Sequence, residues 1–163
     1  MLTGFTVTLA NKRKVDAWVG AALGAMAAVV YALTVSRGIY PGESARLMAT
    51  FSGVEPLDLP LHPVWGAIVT WLSSVPVFSL PFRLNLFSAC CTVVSVVLLY
   101  RLMAYLVQEV IVEEYSVDYA PKVSILAGVV TAFAFMFALP VWFAATRLQY
   151  QSFDLMWLLA QAS

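Results

Sequence analysis

Polar positions in this chain come in short clusters separated by long apolar runs. After Asn11-Lys12-Arg13-Lys14, residues 15–36 carry a single charge, Asp16, at their very start. At about 1.5 Å per residue the run is about 33 Å long, enough to cross a hydrocarbon core of about 30 Å. It is longer than a signal-peptide core and no convincing A-x-A cleavage site follows it, so it reads as an uncleaved signal anchor. The basic cluster before it predicts an N-terminus held in the cytoplasm. A second run covers 83–107, with Arg83 and Arg101 placed to snorkel at its two ends. A third covers 123–145, rich in Ala, Phe and Val, with Pro140 near its far end. A last run starts at about 147 and extends to Ser163. The pattern predicts an all-α integral membrane protein with about four transmembrane helices, joined between the second and third by an acidic loop, 108–122.

The interval 37–82 breaks the rhythm. Pro41-Gly42 marks a turn. From Glu43 to about Ser52 the spacing predicts a short amphipathic helix, with Leu47, Phe51 and Val54 on one face and Glu43, Arg46 and Thr50 on another. Glu43 falls in its first turn, where free N–H groups favour a carboxylate. Pro56, Pro60 and Pro63 predict a stiff, extended stretch ending in a new helix, with Pro63 at its first position and His62 just before it. That helix, 63–80, is apolar but barely long enough to span, and Pro76 breaks its last turn. It either crosses the bilayer or lies in the interface. The positive-inside rule does not choose. A flat helix leaves Lys12, Arg13, Lys14, Arg101 and Lys122 inside, and a spanning one leaves Lys12, Arg13, Lys14, Arg83 and Arg147.

Composition supports the membrane class. Of 163 residues, 62% are hydrophobic and 11% charged, against roughly 25% charged in a soluble domain. The mean hydropathy is +0.87. Nine basic and nine acidic residues cancel, so no basic surplus points to nucleic acid. Cys90 and Cys91 are sequence neighbours in an apolar run and read as small apolar fillers. The sequence has no Gly-rich phosphate loop, no Cys/His metal spacing and no nucleophile elbow.

The chemistry-bearing groups therefore crowd into Tyr40–Pro63, which holds Glu43, Arg46, Glu55, Asp58 and His62, the chain's only histidine. Glu43 is either a base or cation ligand, or a solvated helix-start residue paired with Arg46. His62 is either a ligand or proton carrier, or a helix-start residue in a Pro-rich loop. Arg37, Arg46, Arg83 and Arg147 form an anion site if the Pro63 helix lies flat, since the arginine fork suits phosphate, or else they snorkel singly. In the last helix Arg147, Gln151, Asp154 and Gln161 fall on one face, with Arg147 and Asp154 either a buried pair or part of a proton or substrate path.

PGESARLMATFSGVEPLDLPLHPVWG followed by FRLNLFSACCTVVSVVLLYRL resembles the start of a bacterial membrane family of unknown function related to the protein O-mannosyltransferases, in the GT-C class of lipid-linked-sugar glycosyltransferases. The matching elements are Gly42-Glu43-Ser44-Ala45, His62-Pro63 with Gly66, Arg83-Leu84-Asn85 with Ser88, and Val141-Trp142 with Tyr150. The resemblance covers about residues 15–160. It implies that 63–80 is a flat outer helix and that the loop 37–82 faces the extracytoplasmic side of a bacterial inner membrane. It also implies that a sugar leaves a polyprenyl phosphate for an acceptor there. Glu43 and His62 would then be catalytic, Arg46, Arg83 and Arg147 would hold the phosphate, and a divalent cation is the alternative partner of Glu43. Many relatives carry an Asp where this chain has Tyr40, and Val64 replaces a second Pro; a second carboxylate, if catalysis needs one, is then either missing here or supplied by Glu55 or Asp58. The chain is expected to be one transmembrane domain and the N-terminal part of a longer protein. Two other classes stay open. One is a transporter working through Arg147 and Asp154. The other is a non-catalytic membrane protein or inactive fragment.

Overall fold

The structure is a computed structural model and describes residues 9–54, 62–114 and 120–162. They form helices α1 (Leu9–Thr34), α2 (Glu43–Phe51), α3 (Pro63–Ser74), α4 (Leu80–Glu114), α5 (Ala120–Phe137), α6 (Leu139–Thr146) and α7 (Gln151–Ala162), with no strand among the described residues. Asn11–Thr34, Leu80–Ile111 and Ala120–Phe137 are each long and apolar enough to cross a membrane. The protein is an all-helical, multi-pass membrane protein.

Helix α4 is the axis, packed against α1, α3, α5, α6 and α7. Its closest approach is to α5 at Gly128, where a Cβ would sit 2.9 Å from the Tyr100 carbonyl oxygen. The main core joins Leu23, Ala27 and Tyr31 of α1, Val96 and Tyr100 of α4, Ala132 and Met136 of α5, and Ala145 of α6. A second core lies at one end of the bundle. Leu47 and Met48 of α2, Trp65 and Val69 of α3, Leu84 of α4 and Leu148 meet there.

The third apolar run is two helices rather than one span over 123–145. Pro140 has no N–H, so the Met136 carbonyl loses its i+4 partner, and Ala138 is extended (φ −62°, ψ 128°). In lipid an unpaired carbonyl is costly. The Tyr31 hydroxyl, on α1, donates to Met136 O at 2.9 Å and closes the break.

Three other expectations need correction. Residues 108–114 continue α4 instead of joining a loop; at 35 residues the helix is about 52 Å long, so it outruns the bilayer. The reason is local, since nothing between Arg101 and Glu114 is Gly or Pro. Helix α3 has 12 residues, about 18 Å, and is too short to span. It stops because Val75, held extended before Pro76 (φ −77°, ψ 119°), leaves the helical region. Arg147 precedes α7 and is itself extended (φ −135°, ψ 155°), so it does not share a helical face with Gln151, Asp154 and Gln161. The amphipathic helix is present with Leu47 buried, but Val54 lies past its end and is exposed. The Pro56–Pro60 stretch, Glu55 and Asp58 lie outside the described residues.

Removing the Tyr31 hydroxyl should expose the weak point of the split span. Tyr31→Phe is expected to cost about 1–3 kcal/mol by leaving Met136 O unpaired, read as a lower thermal midpoint in detergent with helix content unchanged.

Candidate functional site

At the end of the bundle where α1 finishes and α4 begins, one side chain ties three segments together. Asn85 is completely buried. Its Nδ2 donates to Ser36 O at 2.8 Å and more weakly to Gly38 O at 3.4 Å. Its Oδ1 accepts from the Leu148 N–H at 2.7 Å. One turn on, Ser88 Oγ accepts from the Gln149 N–H at 3.2 Å. Ser36 N–H donates to Thr146 O at 3.1 Å, and Ser152 Oγ to Ala144 O at 2.9 Å. These bonds fix the non-helical turn Arg147–Tyr150 between α6 and α7.

That turn holds both ends of the polar loop. The Arg147 guanidinium carbon lies 3.3 Å from the centre of the Tyr40 ring and 4.4 Å from that of Phe143, a stacking geometry that suits a planar cation. Tyr150 stacks on His62, with centroids 4.9 Å apart and planes at 21°. His62 Nδ1 also faces Asp154 Oδ1 at 3.1 Å. Trp65 meets Tyr150 and Phe51 edge-on at 6.4 and 5.6 Å.

The backbone at both loop ends is unusual. Gly42 precedes α2 with φ 98° and ψ −145°, a region open to glycine alone. His62 adopts φ 66° and ψ 71° before Pro63, a left-handed geometry that a non-glycine residue holds only when its surroundings enforce it. The Tyr150 stack and the Asp154 pair supply that enforcement. The ion pair expected between Arg147 and Asp154 is not formed: Asp154 is taken by His62, and Arg147 lies over aromatic faces.

Glu43 stands in the first turn of α2 and is exposed. Among the described residues no cation lies within 4.0 Å of it, Arg46 included. Arg46 is exposed on the same helix. Arg83 is half-buried at the other end of α3. Its Nη2 donates to Ser73 O at 3.4 Å, while Nε and Nη1 are buried without a partner. Arg147 Nε is likewise buried and unpartnered. So the structure gathers Tyr40, His62, Tyr150, Asp154 and Arg147 around one turn, leaves Glu43 and Arg46 open on α2, and keeps Arg83 apart at the α3 C-terminus. Among the described residues no three His, Cys, Asp or Glu side chains converge as a metal site. Of the acids in residues 37–82, only Glu43 lies within the described residues.

Ser44 Oγ and Trp65 Nε1 are two further buried donors without partners. Nothing in the sequence pattern marks either atom as buried and unpartnered. The partnership of His62 with Asp154 was equally hidden, because the two are remote in sequence and share no periodic face.

This end of the bundle defines a membrane protein with a buried polar latch beneath an acidic and basic surface loop. The chain belongs to the family described as the Protein O-mannosyl-transferase TMEM260 N-terminal domain, whose model matches residues 42–159. The match takes in Glu43, His62, Arg83, Asn85, Arg147 and Asp154. The family relates the chain, at a coarse level, to GT-C-like glycosyltransferases. None of the curated proteins and none of the solved structures compared matches it.

The latch makes a graded prediction. Asn85→Asp keeps the shape and the Oδ1 acceptor but loses the donor and buries a charge, at an expected cost of about 3 kcal/mol or more. Ser88→Ala, removing longer bonds, should cost about 0.5–1.5 kcal/mol. Thermal unfolding in detergent checks the order.

Proposed function

We propose that this chain is the N-terminal part of a GT-C-like glycosyltransferase that moves a sugar from a polyprenyl-phosphate donor to a hydroxyl acceptor. Transfer takes place at the extracytoplasmic face of a bacterial cytoplasmic membrane, with the chain's N-terminus inside. The observation that carries this reading is the meeting of both ends of the polar loop on the Arg147–Tyr150 turn, within the stretch the family model matches, with Glu43 exposed at the start of α2 three residues after Tyr40.

In this reading Glu43 accepts the proton of the acceptor hydroxyl as the oxygen attacks the anomeric carbon; were a divalent cation bound, Glu43 would be the residue to hold it, and the cation would polarise that hydroxyl. The bond from that carbon to the phosphate oxygen breaks, and the polyprenyl phosphate leaves with the bonding electrons. Arg147 is suited to meet that growing charge, because its guanidinium is stacked on Tyr40 and, among the described residues, lies within ion-pair distance of no carboxylate. Arg46 adds charge from the exposed face of α2, and Arg83, on α4 near the C-terminus of α3, keeps Nε and Nη1 free of any protein partner among the described residues. His62, with Nδ1 turned to Asp154, leaves Nε2 as the ring position available to the acceptor or the sugar.

Glu43→Gln in the full-length protein should lower transfer of a labelled sugar from a polyprenyl phosphate by about 10²–10⁴-fold. Insertion, expression and thermal stability should stay unchanged, because Glu43 makes no ion pair among the described residues. Unchanged transfer would contradict the assignment.

A further inference from the structure

The opposite end of the bundle contains a cleft that the transfer reaction does not use. It lies between the first turns of α1 and the second half of α4, and has a volume of about 900 Å³. Along α1 the lining passes from Lys12 and Arg13 to Gly20 and Ala21, while on α4 Arg101 stands about one turn from Val97, and Ala162 of α7 also borders it. The lining thus runs from cationic to apolar along a single cleft. Asp16 is its one described carboxylate, and that group is occupied: Oδ1 accepts from the Tyr100 hydroxyl at 2.9 Å, and Oδ2 faces Lys12 Nζ at 3.9 Å. Three cations against one carboxylate leave a formal excess of two positive charges, carried by Arg13 and Arg101, both exposed.

The position matches a headgroup boundary. From Arg83 to Arg101 α4 rises about 27 Å, close to the thickness of the hydrocarbon core. Arg101 and the α1 cations line the same cleft, within about one to two helical turns of each other along the bundle. The apolar end, with Gly20 and Ala21 on α1, points from those cations into the membrane-crossing part of both helices. A small soluble anion would satisfy the cations but leave the apolar end empty. An amphiphile fits both.

We propose that this cleft binds an anionic phospholipid, with its phosphate at Arg13 and Arg101 and an acyl chain along Ala21 and Val97. The Asp16–Tyr100 bond holds the cleft's shape, joining α1 to α4 while keeping the carboxylate from neutralising the arginines. The inference is independent of the transfer reaction proposed for the other end.

The test is native mass spectrometry of the 163-residue chain in detergent, titrated with phosphatidylglycerol, phosphatidylcholine or inorganic phosphate. Phosphatidylglycerol should be retained at least about tenfold better than phosphatidylcholine, and inorganic phosphate should not displace it. Arg101→Gln should weaken that retention about fivefold. Ala21→Leu, which fills the apolar end and changes no charge, should weaken it comparably, whereas a general attraction between cations and anionic lipid would be unaffected. Equal retention of the two lipids by the wild type overturns the proposal without any variant. Displacement by inorganic phosphate, or Ala21→Leu binding like wild type with its thermal midpoint unchanged, overturns it as well.

Discussion

A single carboxamide, buried where water cannot compete, holds one end of this bundle in register. Asn85 presents a donor and an acceptor at once, and each finds a backbone partner from a different part of the chain: the exit of α1 at Ser36, and the turn before α7 at Leu148. An amide side chain offers both roles on separate atoms, without a charge. Those backbone groups lie outside helices, so in a low-dielectric setting they would otherwise stay unpaired at a cost of about 1–3 kcal/mol each. The latch thus turns two irregular segments, which lipid alone would not tolerate, into a fixed corner.

What the corner positions follows from chain geometry. Arg147 and Tyr150 flank the latched Leu148 and Gln149. Through them Tyr40 and His62, the two ends of the polar loop, are drawn to one place. Glu43 then starts α2 three residues after a fixed point, aimed by a Gly42 backbone that no other residue adopts easily. Tyr40 has a further consequence. An aspartate there would compete for Arg147 as an ion pair, whereas an aromatic face supports the guanidinium and leaves its charge available.

Much of the fold was legible in the pattern of apolar runs, because burying a helix in lipid imposes length and composition directly. The α2 helix was legible from its spacing, and the starts of α2 and α3 from Gly42 and Pro63. The split of the third span was not, although Pro140 was visible. Whether a proline kinks, breaks or is absorbed depends on who satisfies the freed carbonyl, and here the answer is Tyr31, on another helix. The long α4 was misread as ending in a loop, because charge was taken to mark an end where only Gly or Pro would have forced one. In the site, Glu43 and His62 could be picked out as polar residues in an apolar chain. The exchange of partners, with Asp154 on His62 and Arg147 on Tyr40, rests on a turn that no helical periodicity encodes. Asn85 could be read as part of a family motif, but its three bonds could not.

The two ends of the bundle divide the chemistry. One holds a latched, partly strained polar surface suited to group transfer, and the other a basic, amphiphile-shaped cleft suited to a lipid. The corner set by Asn85 is the claim on which the proposed transfer site rests, and proximity across it is directly measurable. In a Cys90→Ala, Cys91→Ala background, the pair His62→Cys with Asp154→Cys would be treated in membranes with a short bifunctional thiol reagent. His62→Cys with Arg83→Cys, at opposite ends of α3, serves as the control. The account predicts rapid cross-linking of the first pair and little of the second, with the first slowed when Asn85→Asp is added. Equal rates for the two pairs, or a first-pair rate indifferent to Asn85→Asp, would contradict it.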